Sequence, residues 1–271
     1  MKKTEITITE PAAVAALKQI YETNGPGLLL QKWDFSVPGR VTAQDDRLEV
    51  KDGALIGLNL KDALLDGALK LCEVESLIVL KARRNSLSGI VFKNMPNLTE
   101  LDMSDNTISD LSPLAELTEL VSLDLVGNSM NDISPPAGLT KLTGLSLGAM
   151  AAGGMPDNNV SDLSPLAKLT KLISLYFQGN KISDLSPLAG LTKLTFLDLA
   201  RNKISDLSPL AEQTKLTELN LWGNKISGLS PLAGLVNLRE IRFDNCLGAD
   251  LSPLSRLPKL EMVNGEKYLR A

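Results

Sequence analysis

Three groups of side chains in this sequence could do chemistry. Asp102, Asp105 and Asp124 form an acidic trio if residues 102 and 124 take equivalent places on adjacent strands. Paired carboxylates can raise one another's pKa for acid/base work or hold a cation. Lys81, Arg83 and Arg84 lie one repeat earlier and could neutralise them instead. The aspartates at 110, 132, 162, 184 and 206 look like a second acid/base motif. Their recurrence in one context argues for hydrogen bonds that shape a loop or cap. The third group is Tyr176, Phe196 and Trp222, flanked by Gln178, Arg201 and Arg242; aromatic and arginine residues are the kind that anchor protein interfaces. Histidine is absent, which removes the commonest general base and neutral metal ligand. No phosphate-binding glycine loop, nucleophile–base pair or metal-ligand spacing is present. The expectation is a non-enzyme with no catalytic residue and no cofactor, and with Asp102, Asp105 and Asp124 as weak metal candidates only.

These residues are positioned by a repeat. Leu169-Thr-Lys-Leu begins again at Leu191-Thr-Lys-Leu, an offset of 22 residues, and the frame recurs at Leu117, Leu139, Leu235 and Leu257. A fixed period of that size means a solenoid, and the order Leu-x-x-Leu-x-Leu-x-x-Asn-x-Ile/Leu is the leucine-rich-repeat pattern. The strand cores read Leu58-Asn-Leu60, Leu80-Lys-Ala82, Leu101-Asp-Met103, Leu123-Asp-Leu125, Leu145-Ser-Leu147, Leu175-Tyr-Phe177, Leu197-Asp-Leu199, Leu219-Asn-Leu221 and Ile241-Arg-Phe243. Period-2 alternation turns the outer two residues of each inward and the middle one outward. The expected fold is α/β: a right-handed, horseshoe-like solenoid with a parallel sheet on the concave face and short 3-10 turns on the convex face.

Asparagines at 85, 106, 128, 158, 180, 202 and 224 form a column whose amides can satisfy inward-facing backbone groups. Cys246 takes the same slot. On the return side, serine as N-cap and proline at the next position start one turn of 3-10 helix. The unit from Leu139 to Leu169 is eight residues longer than the others. Its extra segment, 148–157, maps to a loop that is either tolerated or part of a binding face. Gln213 replaces a leucine and could thin the core there.

Residues 1–54 do not repeat and read as an N-terminal cap, because a stack exposes its apolar end. Thr9 is a candidate N-cap for a helix from Ala12 to Glu22, with Val14, Leu17 and Tyr21 on one face. A hairpin is expected around Val41 to Val50, and Trp33 is expected to be buried against the first repeat. Residues 55–257 hold about nine repeats, and 258–271 a short C-terminal cap. Tyr268 and Leu269 could cover that end, or another chain or further sequence could.

The unit Asn-Lys-Ile-Ser-Asp-Leu-Ser-Pro-Leu-Ala-Gly-Leu-Thr-Lys-Leu, running from Asn180 to Leu194, resembles bacterial leucine-rich-repeat proteins of the internalin type. These are related to the short-repeat regulators of eukaryotic protein phosphatase 1. The likeness spans roughly residues 95–257 well and 55–94 loosely. Residues 16–26 are similar to a cap segment that precedes repeats in other bacterial proteins. The resemblance implies a scaffold that binds another protein on its concave sheet. The alternatives are the substrate-recognition arm of a larger enzyme or effector, a carbohydrate-binding module, or a self-assembling module. Internalins are exported and carry an immunoglobulin-like region, and this chain has no apolar run after its basic start. The expectation is therefore a cytoplasmic protein rather than a host-cell-receptor ligand.

Composition fits that reading. The net charge of −4 argues against a nucleic-acid or anionic-membrane partner held by bulk charge. Cys72 and Cys246 sit many repeats apart, so no disulfide is expected. Aromatics are 4% of the chain, which makes three outward-facing rings on neighbouring strands informative.

Overall fold

The computed structural model describes residues 6–24, 33–34, 36, 41–43, 47–149, 158–244 and 250–268. The chain forms two compact units, 1–128 and 129–271. The loop segment 150–157, Cys246 and Leu269 lie outside the described residues.

The first unit begins with β1 (Ile6–Ile8), helix α1 (Pro11–Asn24), β2 (Trp33–Asp34) and β3 (Val41–Ala43). Proline opens α1, where its missing N–H costs nothing. The helix buries Ala13, Val14, Ala16, Leu17 and Ile20, while Tyr21 is only half-buried. Its core stripe is thus shifted from the expected Val14–Leu17–Tyr21 line toward the alanines, whose small side chains allow close approach. Trp33 is buried, as expected. The expected hairpin at 41–50 does not form. β3 pairs with β1 and β2, and β4 (Leu48–Lys51) pairs instead with β5 (Ala54–Asn59) across a turn at Asp52-Gly53. Both turn residues have positive φ, the requirement of a tight two-residue hairpin turn, and Asp-Gly meets it.

β6 (Asp66–Cys72), β7 (Val79–Lys81), β8 (Ser86–Lys93), β9 (Glu100–Asp102) and β10 (Ser122–Asp124) complete this unit. β5, β7, β9 and β10 stack in parallel with Leu58, Leu80, Leu101 and Leu123 in register. In the two earliest repeats the return side is not a 3-10 turn. β6 and β8 pair as a separate parallel sheet, against which α1 packs. Both segments lack the Ser-Pro pair, and Leu69/Leu71 and Ile90/Phe92 alternate inward at the strand period.

The second unit contains β11 (Gly144–Ser146), β12 (Ser174–Tyr176), β13 (Phe196–Asp198), β14 (Glu218–Asn220), β15 (Glu240–Arg242), helix α2 (Ser252–Ser255), β16 (Met262–Val263) and β17 (Glu266–Lys267). Strands β11 to β16 are parallel and consecutive, with Leu145, Leu175, Leu197, Leu219 and Ile241 in one buried line. β17 returns antiparallel through Asn264-Gly265, both at positive φ. Residue 268 follows this hairpin, and Tyr268 N–H donates to the Glu261 carbonyl at 2.7 Å.

The asparagine column does what its chemistry allows. The Asn202 amide donates to the carbonyls of Leu199, in its own turn, and Phe177, one repeat back, both at 3.0 Å. Its oxygen accepts the Ile182 N–H at 3.0 Å. Asn106 and Asn224 repeat this pattern. The return turns differ from expectation in one detail. Leu111, Leu163, Leu185, Leu207 and Leu229 hold the N-cap place, and serine is already the first residue of the turn. The cap is supplied instead by aspartate: Asp110, Asp162, Asp184 and Asp206 each accept the N–H of the serine two residues on at 2.8 Å. Only Ser134 stands at an N-cap before Pro135.

Gln213 is fully buried, and its amide donates to the carbonyls of Leu188 (2.9 Å) and Ala189 (3.2 Å). Its side-chain oxygen has no partner. The substitution therefore leaves an unmatched acceptor in the core rather than a void.

Candidate functional site

Strand register arranges the outward residues of the second unit in rows. One row runs Ser146, Tyr176, Asp198, Asn220, Arg242, and the row before it runs Gly144, Ser174, Phe196, Glu218, Glu240, Met262. Tyr176 and Phe196 lie diagonally across adjacent strands. Their rings stack with centroids 4.3 Å apart and planes 26° apart, an offset pairing that favours aromatic groups beyond simple burial. Both rings are half-buried.

Trp222 follows β14 by two residues and is 55% exposed, a large apolar surface left to solvent. Its carbonyl accepts the Arg201 N–H at 2.6 Å, and its own N–H donates to Asn220 Oδ1 at 3.2 Å. Arg201 has φ 55°, in a slot held by Gly127, Gly179 and Gly223 at 70°, 66° and 76° and by Arg84 and Asp105 at 57° and 56°. A left-handed non-glycine residue costs on the order of 1 kcal/mol, and such costs concentrate where a side chain has a use. Arg201 packs over Gly223, where an added Cβ would come within 3.1 Å of it.

Gln178, Arg201, Trp222 and Arg242 line one open hollow of about 520 Å³. Phe196 and Arg242 line a neighbouring hollow of about 250 Å³, and Tyr176 backs Phe196. The structure thus brings all six candidate binding residues to one face of one unit. The sequence reading missed Asn220, Asp244 and Asn264, which complete the larger hollow. Asn264 was signalled by the Asn-Gly pair that turns β16 into β17, and the others only by cross-strand register. Arg242 is held by Glu240, with Nε and a terminal nitrogen each 2.7 Å from the same oxygen. Asp244 accepts the Gly223 N–H at 2.9 Å. Asp198 accepts the Ala200 N–H at 2.9 Å and the Asn220 amide at 3.1 Å. Burial pushes the Asp198 carboxyl up, against the opposing pull of those two donors and of Arg242.

The acidic trio lies in the first unit. Asp102 and Asp124 are register partners on β9 and β10. Asp105 is 8% exposed and meets Arg83 Nε at 3.0 Å and Arg84 Nε at 3.8 Å. Asp102 accepts the backbone N–H and hydroxyl of Ser104. Burial raises the Asp124 carboxyl. The Val126 N–H opposes this, Asp102 adds to it, Arg83 opposes and Asp105 adds. Among the described residues no group of three or more histidines, cysteines or carboxylates could hold a metal ion. This cluster can pair charges.

On the return side serines hold Asp110, Asp132, Asp184, Asp206 and Asp250 below the ordinary carboxylate range. For Asp110 and Asp250 the serine N–H is the larger cause and its hydroxyl the second. For Asp132, Asp184 and Asp206 the order is reversed. These carboxylates are spent on turn geometry. No helix among the described residues is long and apolar enough to cross a membrane.

Two family profiles match. One, described as "Leucine Rich repeats (2 copies)", matches residues 170–212 and 214–256, and the other, "Leucine rich repeat", matches residues 72–130. Among solved structures, internalin C2 of Listeria monocytogenes is 30% identical, with 88% of this chain and 94% of that chain covered and a TM-score of 0.61. A second Listeria monocytogenes internalin, inlF, is 32% identical over 70% of this chain, with a TM-score of 0.58. This chain spans 55% of the length of that one. A plant peptide hormone receptor in complex with RGF2 is 22% identical, with a TM-score of 0.60 over 80% of this chain and 40% of its own, and shares the fold. No curated protein sequence matches.

Proposed function

Since the chain belongs to the leucine-rich-repeat proteins of the internalin type, we propose that it is a non-catalytic scaffold that captures a protein on the exposed sheet face of its second unit. The observation that carries this reading is the exposed Trp222 beside a stacked Tyr176–Phe196 pair and a hollow of about 520 Å³. Aromatic and arginine residues around a recess are the usual energetic centre of a protein interface. Gln178, Arg201 and Arg242 supply hydrogen-bond donors at its rim. The receptor in complex with RGF2 supports the idea that this fold can hold a polypeptide ligand. Catalysis has no support in the acidic trio or the return-turn aspartates, which are engaged in charge pairing and in hydrogen bonds that shape turns.

The test is capture from lysate of the source cell. Trp222→Ala and Tyr176→Ala are expected to lose the captured protein while keeping the native circular-dichroism spectrum and melting temperature. Equal recovery by both variants and the native chain would reject the reading.

A cytoplasmic location belongs to the same proposal. Cys72 is exposed and free, a state suited to a reducing compartment. Fractionation of source cells that finds the chain outside the cytoplasm would overturn that part alone.

A further inference from the structure

Charge on the proposed docking face is unbalanced. Asp198, Glu218, Glu240 and Asp244 project there against Arg201 and Arg242. Arg242 is committed to Glu240 at 2.7 Å. Asp244 is tied to a backbone N–H. Asp198 is held by two neutral donors and feels the charge of Arg242, which lies beyond ion-pair distance and lines the same hollow, and the Glu218 side chain has no hydrogen-bond or ion-pair partner among the described residues. Two carboxylates therefore have no cation within ion-pair distance among those residues.

They are also close together and beside a ring. Phe196 and Glu218 are register partners on β13 and β14, and Asp198 lies two residues along from Phe196. All three line the hollow of about 250 Å³. Tyr176 stacks on Phe196 and so fixes that ring as a wall. An aromatic face attracts a cation through its quadrupole and can cover the methylene stem of a long basic side chain.

We propose that this hollow seats a basic side chain, lysine or arginine, of the captured protein, with its stem against Phe196 and its charged head between Asp198 and Glu218. The inference rests on the docking face described above and adds the chemistry of what docks. An acidic partner reaching for Arg201 is the competing occupant.

A random peptide library displayed on phage, selected on the immobilised full chain, separates the two. Selected peptides are then synthesised and measured by fluorescence anisotropy. The expected peptides carry lysine or arginine at a fixed position, and norleucine there weakens binding. Glu218 is exposed and without a structural partner, so Glu218→Gln leaves the fold intact and is expected to lower affinity roughly fivefold, the scale of one solvent-accessible ion pair. Glu218→Lys is expected to shift selection toward aspartate or glutamate at the same position. Added salt weakens the native interaction. Peptides that need Trp222 but are selected for acidic or apolar residues, or bind Glu218→Gln as well as the native chain, would overturn the basic seat and leave the docking face standing. Failure to select any peptide that distinguishes the native chain from Trp222→Ala would overturn both.

Discussion

At the residue scale, two side chains on the proposed docking face cost the fold something, and each cost gives a measurement. Arg201 holds a left-handed backbone conformation that falls to glycine at three equivalent positions and to Arg84 and Asp105 at two. Arg201→Gly should relieve about 1 kcal/mol of strain, set against up to about 1 kcal/mol of added chain entropy in the unfolded state. The expected outcome is unchanged or slightly raised stability in urea unfolding, together with weakened partner capture. A clear loss of stability would mean that Arg201 serves the fold. Asp198 is the second. Its carboxyl pKa is raised in the folded protein, chiefly by burial. The folded chain thus holds that proton more tightly than the unfolded chain. The resulting penalty grows as pH rises from the unfolded value through the folded one, and is fully present above it. Asp198→Asn should therefore raise the melting temperature near neutral pH, and the gain should vanish in acid below the ordinary aspartate range. A gain that persists there would contradict burial as the cause. Asp110, Asp132, Asp184, Asp206 and Asp250 in the return turns have the opposite sign. Their stabilisation is present above the unfolded pKa and lost as pH falls through their lowered folded values.

At the element scale, stability resides in what repeats. Asn202 satisfies two carbonyls and one N–H that face inward. Asn202→Ala would orphan them and should cost about 3 kcal/mol in denaturant unfolding. Gln213→Leu removes the unmatched acceptor and restores the residue found at equivalent turns, and should add about 1 kcal/mol or more. The strand cores, the asparagine column and the return turns were legible in the sequence because each is a periodic pattern with one physical cause. The β6–β8 sheet was not, because the 22-residue frame loosens there and period-2 alternation competes with it. The Asp52-Gly53 hairpin displaced the expected one at 41–50 for a similar reason: turn chemistry, not apolar pattern, chose the pairing. The diagonal stack of Tyr176 on Phe196 depends on cross-strand register, which the spacing of 22 residues fixed only as adjacency.

At the scale of the whole molecule, structural groups and functional ones separate by how they vary. Leucines and asparagines recur along the coils, and Asp-Ser turns recur in those from Asp110 onward apart from Gly228, because they shape the coil, and nearest-neighbour packing makes each coil stabilise the next. Outward positions of β12 to β15 such as Tyr176, Phe196 and Arg242 vary from strand to strand, and that is where rings and unbalanced charge gather. A net charge of −4 is too small to recruit a partner from a distance, so the proposed capture rests on that local surface for its selectivity. Family membership accounts for the scaffold, while the identity of what it holds depends on those few positions.

The central claim is that capture happens on the sheet face of the second unit. A photo-crosslinking benzophenone residue placed at position 222, on that face, and at position 212, on an exposed return turn, tests it in source-cell lysate. The account predicts a covalent adduct with a discrete protein from position 222 and none from position 212. An adduct formed from position 212 alone would contradict it.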